Sequence, residues 1–300
     1  MPILDIRSKI CTLFAFVTFF VALSCNDAAA SDNLPDRLRD DVTFLADTTH
    51  RGREFGEPKE QGAIFYVAKA FRNAGLWTGV QTFRSHGKTG HNVIGLTPGF
   101  YSRYILVSAY LDGLGELDGN IYPGADSNAS GVAALMDLAS TLSTASFDRR
   151  TGIIFVAFDG HGSDMSGSKA FLERYEKEYN IILAVNIDII GSTLAPVKKN
   201  RPDYLIALGG NGFDFSLARA NSGIGLHITY DYYGSLNFTD LFYKSMGDQK
   251  WFLDKKIPAV MFTSGITDNT NKLTDTPETL DYEVMAKRVN LIAKWLRSQL

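Results

Sequence analysis

Continuous apolar runs alternate with amphipathic segments along most of this chain. The runs at 104–109 and 152–158 have no polar face, which is typical of strands buried on both sides of a sheet. Shorter apolar runs predict further strands at 80–83, 92–96, 181–187, 205–208 and 259–263. Apolar residues recur at helical spacing over 34–46, 59–74, 129–142 and 282–296. We therefore predict an α/β fold: a single three-layer domain with a mostly parallel mixed sheet and helices on both faces.

The first 30 residues have the pattern of an export signal. Arg7 and Lys9 precede an apolar run at 10–23, too short for a comfortable membrane span, and three alanines follow at 28–30. Two outcomes stay open, cleavage before Ser31 or lipidation of Cys25 within a loose lipobox. Both predict an exported protein that is periplasmic, secreted or lipid-anchored, with the leader or lipid as its membrane contact. We expect the α/β domain to occupy 32–300.

Composition argues against nucleic-acid binding and against cysteine-based sites in the mature domain. The chain is 45% hydrophobic and 21% charged with a net charge of −3, and no basic stripe is interleaved with aromatic residues. We therefore expect no nucleic-acid partner. Both cysteines, Cys11 and Cys25, lie in the leader, so the mature domain has neither a disulfide nor a thiolate metal ligand.

Polar side chains cluster just after the predicted buried strands. Tyr110 and Asp112 follow one strand, Asp159 and His161 the next, and Asp188 the one after. In sheets of this type, functional groups gather at the carboxyl ends of the strands. We therefore expect these side chains to share one rim of the domain.

Several short motifs, in a fixed order, carry a resemblance to a known family. They are HNVIG at 91–95, GADSNASG at 124–131, FVAFDG at 155–160, MSGS at 165–168, NIDIIG at 186–191, IPA at 257–259 and Asp-Thr at 275–276. In this order they resemble the co-catalytic zinc aminopeptidases of metallopeptidase family 28, whose relatives include glutamate carboxypeptidases and glutaminyl cyclases. The similarity runs from about residue 50 to the C-terminus. It implies a zinc-aminopeptidase fold with two zinc ions.

The same resemblance implies that most metal-binding positions are altered in this chain. Of the five ligand positions, only Asp188 carries the family's residue type. The other four carry Tyr110, Ser127, Gly162 and Asn271. The general-base position carries His161 where the family has glutamate. We therefore expect no cofactor, an empty metal site and no catalytic residues.

Three functional hypotheses stay open. The first is a peptidase homologue that has lost zinc binding and hydrolysis, with a cleft that binds a peptide or a small amine. The residues expected to line that cleft are Tyr110, Asp112, Asp126, Ser127, Asp159, His161, Asp188 and Asn271. The second is an active hydrolase that uses one residual metal or a metal-free arrangement of Ser127, His161 and Asp188. The third is a structural protein of the cell envelope.

Overall fold

The computed structural model describes residues 33–143, 150–232 and 234–300, and Asn33–Leu300 forms one compact unit. The predicted leader, with Cys25, lies outside the described residues. The strands are β1 Trp77–Ser85, β2 Lys88–Leu96, β3 Arg103–Tyr110, β4 Glu116–Leu117, β5 Asn120–Ile121, β6 Thr151–Phe158, β7 Ile181–Ile187, β8 Tyr204–Leu208, β9 His227–Thr229 and β10 Ala259–Thr263. The helices are α1 Leu34–Leu45, α2 Gln61–Asn73, α3 Gly131–Leu142, α4 Ser166–Tyr175, α5 Asp214–Ala220, α6 Leu236–Ser245, α7 Gln249–Asp254 and α8 Tyr282–Gln299. None of these helices has the length and apolar character needed to cross a bilayer.

Eight of the strands form one sheet, in the order β1-β2-β6-β3-β7-β10-β8-β9. The central strands β6, β3, β7 and β10 run parallel to one another. The hairpin β1–β2 joins β6 in antiparallel orientation, and β8 is antiparallel to β10. The predicted mostly parallel mixed sheet is therefore confirmed.

Helices cover both faces of the sheet, which is also as predicted. Val107 of β3 and Phe155 of β6 belong to a core shared with α1, α2, α3 and α8. Their neighbours Leu106 and Val156 point to the opposite face and share a second core with α4 and α7. This double burial explains why the central strands are apolar at every position.

Two predicted boundaries shift for local reasons. The helix expected over 129–142 begins at Gly131, because residues 125–130 form a π-helical turn after Gly124, whose φ is 61°. The strand expected at 80–83 is only the centre of β1, which extends over nine residues. A tight turn at His86 and Gly87, both with positive φ, joins β1 to β2.

Candidate functional site

The structure places the predicted site residues at the carboxyl ends of the central strands. Tyr110 is the last residue of β3, Asp159 directly follows β6 and Asp188 directly follows β7. Ser127 lies in the π-helical turn that precedes α3, and Asn271 lies in the loop after β10. Parallel strands bring their carboxyl ends to one edge, so the topology itself assembles this site.

An aromatic pair occupies the centre of the site. The rings of Tyr110 and His161 are stacked, with centroids 3.9 Å apart and planes inclined by 12°. The Tyr110 hydroxyl lies 3.4 Å from Ser127 Oγ, which donates a hydrogen bond of 3.4 Å to Asn271 Oδ1. Direct contacts therefore link four of the predicted cleft residues.

His161 is held by a buried carboxylate that the sequence pattern did not indicate. Its Nδ1 lies 3.1 Å from Oδ2 of Asp248, which is fully buried just before α7. Burial alone would lower the pKa of His161, but the hydrogen bond and charge of Asp248, with Asp188 and Asp112 nearby, raise it to about 9. His161 is therefore an imidazolium at neutral pH.

Asp112 fixes the loop that carries His161. Its two carboxylate oxygens accept hydrogen bonds from the backbone N–H groups of His161 (2.8 Å) and Gly162 (3.2 Å). Burial, followed by the charge of Asp159, raises the pKa of Asp112 to about 7. This carboxylate therefore positions the loop and is already occupied by backbone donors.

A second carboxylate, Asp275, shapes the turn on the other side of the site. It accepts hydrogen bonds from the backbone N–H groups of Asp126 (2.7 Å) and Ser127 (3.1 Å). Asp126 in turn accepts from the backbone of Gly191 at 2.7 Å and from Ser130 Oγ at 3.1 Å, all through Oδ1. Its Oδ2 is buried without a partner among the described residues. Burial and the charge of Asp275 raise the pKa of Asp126 to about 7.

Asp159 belongs to a buried acid pair. Its Oδ2 accepts a hydrogen bond of 2.7 Å from the backbone of His91, and its carboxylate also shares a hydrogen bond with Glu60. Burial, together with the charge of Asp159, raises the pKa of Glu60 to about 11, so Glu60 is the protonated partner. The predicted cleft residue Asp159 is therefore tied to the protein interior.

Asp188 differs from the other carboxylates because no described residue donates a hydrogen bond to its side chain. It is only 5% exposed. Burial raises the pKa of Asp188 to about 7. The positive charge of His161 opposes this rise, and the negative charges of Asp248 and Asp126 add to it. Asp248 also has a buried oxygen, Oδ1, with no partner in the described part of the chain. Two carboxylates that act electrostatically on Asp188, those of Asp126 and Asp248, thus each have a buried oxygen with unmet acceptor capacity.

Arg53 supports the site from below and is fully buried. Its guanidinium donates to four backbone carbonyls, those of Leu45 (2.6 Å), Leu111 (3.0 Å), Pro123 (2.9 Å) and Gly124 (2.8 Å). These carbonyls belong to the end of α1, the segment after β3 and the entry to the π-helical turn. Arg53 therefore fixes the relative positions of the segments that carry Asp112 and Ser127.

The structure does not join Ser127, His161 and Asp188 through hydrogen bonds. The partners of Ser127 Oγ are Tyr110 and Asn271, and the ring of His161 pairs with Asp248. A nucleophilic serine needs a base within hydrogen-bond reach. The geometry therefore gives the metal-free triad no support.

Sequence reasoning missed four side chains that organise the site: Arg53, Glu60, Asp248 and Asp275. Two of them nevertheless carried a signal: Arg53 lies near the start of the region of similarity, and Asp275 lies in its Asp-Thr motif. Glu60 carried none, because its acid partner, Asp159, is 99 positions away in the sequence.

Comparison with known proteins identifies the family. The model of Peptidase family M28 matches residues 92–296, and this chain belongs to that family. The alkaline phosphatase isozyme conversion protein of Escherichia coli K12 is 26% identical over 215 residues, which are 63% of this chain and 60% of that protein. This chain therefore spans less than two thirds of that relative's length.

Solved structures confirm the fold. BSAP, a zinc aminopeptidase from Bacillus subtilis, has a TM-score of 0.71 at 13% identity, covering 88% of this chain and 94% of that chain. A glutaminyl cyclase from Porphyromonas gingivalis has a TM-score of 0.71 at 17% identity, covering 89% of this chain and 98% of that chain. The resemblance to zinc aminopeptidases is therefore confirmed at the level of the fold.

The expectation that no cofactor accompanies this chain is wrong in the light of these comparisons, because the family and its structural neighbours are zinc-dependent. The side chains seen here nevertheless do not present such a centre. Within residues 33–143, 150–232 and 234–300, no group of three or more histidine, cysteine, aspartate or glutamate side chains is arranged to hold a metal ion. The donor set at the strand ends therefore does not fit the two-zinc centre that the resemblance implies.

Proposed function

We propose that this M28-family protein does not hydrolyse peptide bonds and instead holds an amine-bearing ligand, such as a peptide N-terminus, at the strand-end site. The observation that carries the proposal is the carboxylate of Asp188, which is buried without a hydrogen-bond donor among the described residues. Buried carboxylates are normally hydrogen-bonded or paired, and an ammonium group would supply the donors that this carboxylate lacks.

The charge of the site favours a cation. Asp126 and Asp248 each have a buried oxygen without a partner among the described residues, and both act electrostatically on Asp188. His161 supplies one positive charge, but its hydrogen bond goes to Asp248. An ammonium group carries a positive charge and three N–H donors, which suits a site with this excess of carboxylate acceptors.

The position of His161 argues against hydrolysis. A general base must accept a proton from the attacking water, but a protonated imidazole cannot do so. Here the ring is stacked on Tyr110 and paired with Asp248, which keeps it protonated at neutral pH. The carboxylate of Asp112 is engaged by two backbone N–H groups.

Export remains part of the proposal. The basic, apolar and small-residue segments of the leader support it. Mass spectrometry of the mature N-terminus would distinguish a chain that begins at Ser31 from one that begins at a lipidated Cys25. A full-length N-terminus on the mature protein would count against export.

A matched pair of ligands tests the binding site. We expect alanyl-alaninamide to bind at least about tenfold more tightly than its N-acetyl form, because acetylation removes the ammonium charge. Asp188→Asn should weaken binding of the free amine by at least about tenfold, whereas Asp240→Asn, an exposed carboxylate on α6, should not. Calorimetry or NMR titration measures both effects, and mass spectrometry should recover the bound dipeptide intact.

Equal affinity for the two dipeptides would contradict the amine site. Failure of both to bind would favour a structural role for the protein. Cleavage of the dipeptide would contradict the loss of hydrolysis.

A further inference from the structure

The sheet has one long edge on which no described strand pairs, and this edge lies outside the strand-end site. β1 stands at the end of the strand order and spans nine residues, whereas the opposite edge strand, β9, has three. β1 contains no proline, and Arg84 is its only charged residue. Edge strands are normally protected by shortness, proline or charge, because their free N–H and C=O groups pair readily with another strand.

A hollow lies beside β1 on one face of the sheet. It has a volume of about 270 Å³ and is bordered by Trp77, Gly79, Tyr175 and Tyr179. A Cβ atom placed at Gly79 would meet no atom within 4 Å, so this position faces open space. Trp77 is 51% exposed and makes an edge contact with Phe100. An apolar side chain could therefore enter between aromatic walls.

A second hollow lies on the opposite face of the same strand. Its volume is about 200 Å³, and its lining includes Val80 of β1 with Phe65 and Arg72 of α2. Phe65 and Val80 are both largely exposed. Arg72 forms no ion pair with any described residue and supplies a positive charge at this hollow.

The two hollows lie on opposite faces of β1, which matches the alternation of side chains along a strand. Successive side chains of an extended chain point to opposite faces, so neighbouring residues of an added strand would meet one hollow each. Backbone hydrogen bonds to the edge give affinity in this mode of recognition, and side-chain pockets give specificity. Arg72 adds a preference for an acidic residue in the incoming segment.

We propose that β1 is a docking edge for an extended peptide segment of another protein, with apolar side chains on both faces and one acidic residue. The peptide adds a ninth strand antiparallel or parallel to β1. This site is separate from the amine site at Asp188, so either proposal can fail without the other.

The probe is a capped heptapeptide of valine, leucine and threonine that places apolar side chains on both faces of the added strand and carries one central glutamate. Its control is the same peptide with alternate backbone amides N-methylated, which removes the hydrogen bonds of an added strand. We expect the probe to bind at least about tenfold more tightly than the N-methylated peptide. Fluorescence polarisation of labelled peptides measures both affinities.

Two glycine variants make the test specific. Gly79→Glu should weaken probe binding by at least about tenfold, because it fills the first hollow and sets a charge where an apolar side chain of the probe would enter. Gly212→Glu is the matched control, since Gly212 also has open space around its Cβ position and lies outside β1. This control should bind the probe as the parent does.

Equal affinity for the probe and its N-methylated form would overturn the proposal, and so would unchanged binding in Gly79→Glu. Sedimentation velocity supplies a further check on the occupant. A concentration-dependent dimer that Gly79→Glu dissociates would also overturn the proposal, because it would assign the edge to a second copy of this chain.

Discussion

Replacing Arg53 by methionine is expected to lower the free energy of unfolding by about 4 kcal/mol. The substitution removes a fully buried guanidinium and leaves four backbone carbonyls without their donors. Unpaired buried carbonyls each cost free energy, because water cannot replace the missing partner. Urea denaturation followed by circular dichroism measures the loss.

Arg51 provides the matched control, two residues away. It also has a positive φ, but its side chain is half exposed and pairs with Glu116 at the surface. Arg51→Met should cost no more than about 0.5–1 kcal/mol, as is usual for exposed ion pairs. Arg53→Lys should fall between the two methionine variants, because it keeps the charge but has fewer donors. Equal losses in Arg51→Met and Arg53→Met would contradict the proposed role of Arg53.

The pair formed by His161 and Asp248 is expected to make stability depend on pH. The folded-state pKa of His161 is about 9, above the ordinary value of 6.5. The pair's stabilisation is therefore fully present below pH 6.5 and is lost as pH rises through 9. The raised pKa corresponds to roughly 3 kcal/mol at the low-pH limit.

Asp248→Asn should remove most of this stabilisation. We expect the variant to unfold more easily than the parent by roughly 3 kcal/mol near pH 6, and by much less near pH 9.5. The pKa of His161 should fall in the variant, because burial then acts without the opposing carboxylate. NMR titration of the imidazole Cε1–H signal and urea denaturation at both pH values measure these two effects.

An exposed carboxylate serves as the comparison. Asp240 pairs with Lys244 on the surface of α6, so Asp240→Asn should change stability by no more than about 0.5 kcal/mol at either pH. A parent protein whose His161 titrates at or below 6.5 would contradict the proposed role of the pair. An equal cost of Asp248→Asn at the two pH values would contradict it as well.

The buried strands were the most predictable part of the fold. The predicted ranges 181–187 and 259–263 coincide with β7 and β10. Both strands are buried on both faces, which is the environment that a continuous apolar run predicts. The two ends of β1 were missed because their residues are exposed or half-buried, and Thr78, Gly79 and Arg84 give no apolar run.

Short helices were harder to predict than long ones. The terminal helix predicted at 282–296 continues to Gln299 as α8. By contrast, α5, α6 and α7 have ten residues or fewer and bury only one or two side chains each. So few buried positions leave no helical periodicity to detect.

The position of the site at the strand ends could be predicted from the sequence, but the hydrogen-bond partners of its side chains could not. The strand-end rule brought Tyr110, His161 and Asp188 to one edge, as the structure shows. The partner of His161, however, is Asp248, which lies 87 positions further along the chain. Such hydrogen-bond partners depend on how loops pack in three dimensions, so they cannot be predicted from spacing along the sequence. The metal expectation failed for a different reason, because a substituted ligand set does not show that a protein works without zinc.

The central claim is that this member of the M28 family does not hydrolyse peptide bonds. The most direct test is chromophore release from a panel of aminoacyl p-nitroanilides, measured in zinc-supplemented buffer so that metal supply is not limiting. Asp188→Ala, purified in the same way, is the reference, because a contaminating peptidase would appear equally in both preparations. We expect parent and Asp188→Ala to give the same background rate. Zinc-dependent turnover by the parent that Asp188→Ala abolishes would contradict the claim.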